Sequence, residues 1–161
     1  MNIQKQKQII SYLKKFEETD TLDKYLEYES KRIKNLSKIS PLVWINKLVE
    51  QEMKCFYCGT DLKIIQSLLL AKVINPRKRG KYGYSGMHFE IDHKNANKHD
   101  NSNENIVAAC YYCNNDKSNT ISHEIFKKYF GKQKSISFLS LIKDKGINIE
   151  KLYRHNLTHN N

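Results

Sequence analysis

The chain has 161 residues, 28 Lys plus Arg against 17 Asp plus Glu, a formal charge of +11 and four Cys. A hydrophobic share of 39% with 28% charged residues excludes a wholly disordered polymer, and no stretch approaches the ~20 apolar residues that cross a bilayer. The polar start Met1-Asn2-Ile3-Gln4-Lys5 has no apolar leader, so a cytoplasmic protein without a membrane partner is expected, where four Cys suit metal ligation better than disulfides.

Residues 1–54 read as a helical N-terminal region. Ile9, Ile10, Leu13 and Phe16 recur at three-to-four spacing, as do Leu22, Tyr25, Leu26, Ile33, Leu36 and Ile39. Ser40-Pro41 predicts an N-cap followed by Pro in the first turn, opening a helix through Leu42, Ile45, Leu48, Val49 and Met53. Ile65, Leu68, Leu69 and Val73 predict a second helix over Leu62–Ile74, which Asn75-Pro76 ends. Arg77–Gly86 reads as a basic, aromatic, Gly-containing loop. The alternation in His88–His93 and the apolar Ile106–Ala109 predict two short strands, separated by the polar, Asn-rich Lys94–Glu104. From Cys113 to about Phe130 the spacing is helical again. An apolar patch from Ile136 to Ile142 and a polar tail complete the C-terminal extension, 131–161.

The positive charge is unevenly placed. Residues 1–54 carry 11 basic and 8 acidic side chains. Leu62–Phe89 carries six basic residues and no acidic one, and Lys117–Lys143 carries six Lys against Glu124. Such clustering fits a polyanionic partner, most often nucleic acid. Arg77, Lys78, Arg79 and Lys81 beside Tyr82 suit phosphate contact and base stacking, and Lys117 is counted with them.

Cys55-Phe56-Tyr57-Cys58 and Cys110-Tyr111-Tyr112-Cys113 are two Cys-x-x-Cys knuckles. Each turns two thiolates toward one point, and together they make the four-sulfur set that Zn²⁺ favours, with no position left open for water. The predicted role of that zinc is therefore structural. The knuckles stand 51 residues apart, far beyond the ~15–20 of an ordinary zinc ribbon. The metal would staple the ends of an inserted unit that holds both strands.

Within that unit, Glu90-Ile91-Asp92-His93, Asn105-Ile106-Val107 and Cys113-Asn114-Asn115-Asp116-Lys117 stand in order between and after the knuckles. In this the chain resembles the HNH, or ββα-metal, endonucleases, above all their zinc-bound members, over residues 55–130. The resemblance implies an α+β fold: a zinc-stapled ββα-metal unit with mainly helical additions at both ends. It implies hydrolysis of DNA phosphodiester bonds, leaving 5′-phosphate and 3′-hydroxyl ends. His93 would be the general base, a role that suits histidine, which ordinarily titrates near ~6.5. Asp92 and Asn114 would hold one Mg²⁺ or similar divalent ion at the scissile phosphate, and Asn105 would fix the loop carrying His93.

One departure concerns that loop. The common form follows Asp-His with a Pro and a Gly-Gly pair, whereas Lys94–Asn101 has neither. Asn115, Asp116 and His99 are alternatives to Asn114 as a metal ligand. The expected partner is duplex DNA, and a homodimer would make a double-strand cut most simply. A restriction or defence role, or a phage or mobile-element origin, fits such a unit. The competing reading is a zinc-stabilised DNA- or RNA-binding module whose catalytic site has decayed.

Overall fold

The computed structural model describes residues 33–34, 39–75, 77–78, 84–86 and 88–151. The helical pattern expected from Ile9 to Ile39 lies outside these residues except at Ile33, which is helical and buried, and at Ile39, which is buried but sits in a bend instead of a helix.

Helix α1 spans Pro41–Glu50, with Pro41 in its first turn. Ser40 begins it through its carbonyl, which accepts from the Trp44 amide at 3.1 Å; its side chain makes no cap bond. Trp44, Ile45 and Leu48 form the buried stripe. Helix α2 spans Leu62–Leu70, capped by the Asp61 carboxylate at 2.8 Å from the Lys63 amide. Its apolar spacing buries Leu62, Ile65, Leu68 and Leu69.

Both helices stop before the periodicity predicts, for one reason. After α1, Glu52 takes φ 52°, its amide reaches the Val49 carbonyl, and the Met53 amide reaches Leu48. After α2, Lys72 takes φ 55° while the Lys72 and Val73 amides reach Leu69 and Leu68. These are Schellman closures, in which an apolar residue just past the left-handed position folds back on the last turn. Met53 and Val73 are those residues, so their helical spacing is a by-product of the cap.

The expected loop over Arg77–Gly86 is corrected at its ends, where strands β1 (Arg77–Lys78) and β2 (Tyr84–Ser85) pair antiparallel, Arg77 opposite Ser85 and Lys78 opposite Tyr84; residues 79–83 lie outside the described residues. Strands β3 (Glu90–His93) and β4 (Ile106–Ala109) form a second antiparallel pair, from Glu90 opposite Ala109 to His93 opposite Ile106. All of β4 is buried, as expected of a strand covered on both faces; α1 packs against it.

Helix α3 (Tyr111–Lys117) starts two residues before Cys113, because the Cys110 sulfur caps it by accepting from the Cys113 amide at 3.4 Å. It ends at Ser118, φ 49°. The segment expected to continue as one helix restarts at Ser122, whose hydroxyl caps the short α4 (His123–Ile125). A π-helical stretch, Phe126–Gly131, then leads into α5 (Lys132–Asp144), which takes up all of the expected apolar patch. Its Phe138 is buried and α5 packs on α2. The architecture is α+β, with small two-stranded antiparallel sheets between helices. No helix among the described residues is long and apolar enough to cross a membrane.

Candidate functional site

The four cysteines predicted to share a metal come together. The Sγ atoms of Cys55, Cys58, Cys110 and Cys113 all lie within 4.8 Å of one another, and all four residues are buried. Tetrahedral Zn–S bonds of ~2.3 Å place sulfurs ~3.8 Å apart, so the cluster could hold a metal ion such as zinc. Hydrogen bonds from the neighbouring sulfurs hold the Cys58 thiol well below its usual range. Cys110 is pushed well above it by Cys113 and the other sulfurs.

The first knuckle is closed by Cys55 N to Thr60 O at 3.0 Å, Gly59 N to Cys55 O at 2.8 Å, and the Lys54–Asp61 bridge. Gly59 sits at φ 68°, a conformation that side chains resist. Gln51 ties this knuckle to the sheet, a role sequence reasoning missed. Its side-chain amide donates to Ala108 O at 2.8 Å and accepts from Ala108 N at 2.9 Å, as a neighbouring strand would.

Asp92 is 8% exposed. Its Oδ2 accepts from the Tyr57 hydroxyl at 2.5 Å and lies 3.2 Å from Lys117 Nζ. Tyr57 stays a phenol, because burial and donation to Asp92 both raise its pKa far above the usual range. Lys117, expected at a nucleic-acid surface, is instead fully buried, its Nζ also near the carbonyls of His93 (3.4 Å) and Ser118 (3.2 Å). A signal for this was available, since Lys117 lies four residues after the inward-facing Cys113 on one helix face. On the next rung, Asn114 Nδ2 donates to Glu90 Oε2 at 2.8 Å. These contacts fall on Oδ2 of Asp92 and Nδ2 of Asn114, not on the Oδ1 atom of either. Carboxylate and amide oxygens are hard donors of the kind divalent cations take.

His93 ends β3, and its Nε2 lies 2.9 Å from Asn101 Oδ1. An amide oxygen only accepts, so this contact is a hydrogen bond in the tautomer that carries the ring proton on Nε2. Buried Asn105 braces the loop between, accepting from the Asn95 amide at 3.0 Å and donating to Asp100 O at 2.7 Å. Asp100 in turn accepts from Asn95 and Ser102, and its carboxyl is held below the usual range by Ser102 first and Asn95 next. His99 is exposed, as are Asn115 and Asp116, the last paired with Lys134.

Of the residues expected to bind nucleic acid, Arg77 and Lys78 lie on β1, while Arg79, Lys81 and Tyr82 lie outside the described residues. The second basic cluster read from sequence, Lys117–Lys143, falls largely on the π-helical stretch and α5. From Phe126 to Lys143 there are five Lys and no acidic residue, with Tyr129 and Phe130 exposed beside them. An open groove of about 750 Å³ runs between this face and the first knuckle, lined in part by Lys54, Phe56, Lys127, Lys132 and Ile136. Lys127 Nζ stands 3.9 Å above the Phe56 ring.

No protein-family model, curated protein or solved structure matches this chain.

Proposed function

We propose that the protein is a metal-dependent endonuclease of the HNH type that hydrolyses DNA. The observation that carries this is the joining of β3, β4 and α3 in one unit, which puts Asp92 and Asn114 on facing elements while the adjacent His93 is held by its own loop. The residues that resemble the family are the ones so arranged, and the four-cysteine cluster brackets them.

Asp92 and Asn114 would hold a divalent ion such as Mg²⁺. When bound, that ion would neutralise charge developing on the scissile phosphate. His93 accepts a proton from the attacking water through the ring nitrogen that Asn101 leaves available. Such a base contributes typically ~10²–10⁴-fold to a rate. Asn105 keeps the loop closed so that the imidazole is oriented before DNA arrives, and the zinc knuckles supply the frame. The basic hairpin and the lysine face after Phe126 provide the sequence-independent attraction that phosphates reward.

A second reading, a zinc-stabilised DNA- or RNA-binding module without cleavage, draws on one observation: Lys117 already neutralises Asp92 without any metal. Plasmid nicking in Mg²⁺ or Mn²⁺ separates the two. The nuclease nicks and His93→Ala does not; the binding module retards DNA yet leaves it uncut in either ion.

A further inference from the structure

We propose that Glu90 and Lys117 are positioning residues for the metal-binding oxygens, each acting across the β3–α3 junction on the ligand carried by the opposite element. This rests on the reading above, in which Asp92 and Asn114 hold a divalent cation.

The arrangement is crossed. Strand residue Glu90 holds helix residue Asn114, and helix residue Lys117 holds strand residue Asp92. Residues 90 and 92 share a strand face, and residues 114 and 117 lie one turn apart, so both rungs join the same pair of surfaces. A carboxamide has one oxygen and one NH₂ group. Committing the Asn114 NH₂ to Glu90 turns its oxygen to the other side. Without Glu90 the amide could rotate and present a donor where a cation needs an acceptor.

Asp92 is limited in a different way. Tyr57 and Lys117 both occupy Oδ2, so only Oδ1 remains, and the carboxylate can bind a metal through one oxygen but not through two. Lys117 has no surface exposure, so it cannot swing out to meet a phosphate. Its charge stays beside Asp92 and lowers the affinity of the empty protein for a dication. One carboxylate oxygen and one amide oxygen leave most positions of an octahedral ion to water and phosphate, the usual manner of Mg²⁺ at nucleic-acid substrates. The cation is then held firmly only when DNA is present.

The test is Mn²⁺ titration of the full-length, zinc-loaded protein, followed by the electron paramagnetic resonance of free Mn²⁺, with zinc content and melting temperature measured alongside. Glu90→Ala is expected to weaken Mn²⁺ binding about tenfold or more, the usual effect of losing a residue that orients a ligand. Glu90→Gln keeps an oxygen that accepts from Asn114 and is expected to bind Mn²⁺ as the wild type does. Lys117→Met is expected to tighten Mn²⁺ about tenfold, because it removes a positive charge from beside the dication while Tyr57 stays on Oδ2. Adding uncleavable phosphorothioate DNA is expected to tighten Mn²⁺ in the wild type more than in Lys117→Met.

Glu90→Gln falling as far as Glu90→Ala would overturn the proposal by making the charge, not the hydrogen bond, decisive. Unchanged Mn²⁺ affinity in Glu90→Ala and Lys117→Met, with zinc retained, would overturn it by reducing both rungs to structural braces. If Lys117→Met takes up no zinc, the Glu90 pair decides alone. Wild-type Mn²⁺ affinity in Asp92→Ala and Asn114→Ala would instead defeat the ligand assignment on which the proposal stands.

Discussion

Gly131 lies against the carbonyl of Tyr57 so closely that a Cβ built at position 131 would collide with it. The contact joins the π-helical stretch to the first knuckle at the residue that also bonds Asp92. Around it, Phe126 meets Tyr57 edge-on at 5.4 Å and stacks with Phe130 at 5.6 Å. The obstacle is backbone, which cannot rotate away as a side chain would. Gly131→Ala is therefore expected to cost about 1–3 kcal/mol, the usual range for forced overpacking, read as a lower urea midpoint with zinc still bound. An unchanged midpoint would show that the helix is not held at this point.

Removing any one sulfur ligand should unfold the site unit, not merely slow it. Cys110 caps α3 through its sulfur, and Cys55 accepts from the Cys110 amide at 3.3 Å, so the cluster is continuous with the elements that carry Asn114 and Lys117. Structural zinc supplies ~10–16 kcal/mol of apparent binding energy in small fingers. Cys→Ser at position 55, 58, 110 or 113, or strong chelation, is expected to abolish cooperative melting of the unit. Acid acts in the same direction, since protonated thiols release the metal. Full activity and an unchanged melting temperature in Cys58→Ser would contradict this.

Asn105 and Asn101 should matter to the rate and little to the frame. Asn105 joins the two ends of the His93 loop, and Asn101 meets the ring itself. Asn101→Ala is expected to lower kcat by roughly tenfold to a hundredfold, part of the ~10²–10⁴ that a general base contributes. KM for DNA and zinc content should be unchanged. A rise in KM alone would place Asn101 in DNA binding.

The lysine face after Phe126 gives a prediction about salt. Lys127 and Lys132 line the groove beside the first knuckle, and each phosphate contact adds ~0.9 to the slope of log affinity against log salt. Lys127→Gln together with Lys132→Gln should weaken binding of duplex DNA by the His93→Ala protein and reduce that slope by about 2. An unaltered slope would remove this face from the DNA path.

How far the sequence was legible depended on whether a signal was local. The β3–β4 pair followed from alternation and apolar runs, and the cysteine cluster from spacing, because knuckles are built within four residues. Helix ends were misread at Met53 and Val73, where a Schellman cap copies helical spacing. Lys117 was read as a surface cation because lysine is rarely buried; its counterion Asp92 is 25 positions away in sequence. Gln51 was silent for the same reason, its partner Ala108 standing 57 residues on. The hairpin ends at Arg77 and Ser85 left no apolar alternation to find. Long-range partners were readable where each half carried its own local signal, as the knuckles and strands did, and not where a single side chain found its partner far along the chain.

Cleavage itself is tested by incubating the purified zinc-loaded protein with end-labelled duplex, nicked and branched DNA in Mg²⁺ or Mn²⁺. Metal-dependent cuts with 5′-phosphate and 3′-hydroxyl ends are expected, lost in both His93→Ala and Asp92→Ala. DNA that is bound but left intact in every divalent ion, or cut equally by His93→Ala, would contradict it.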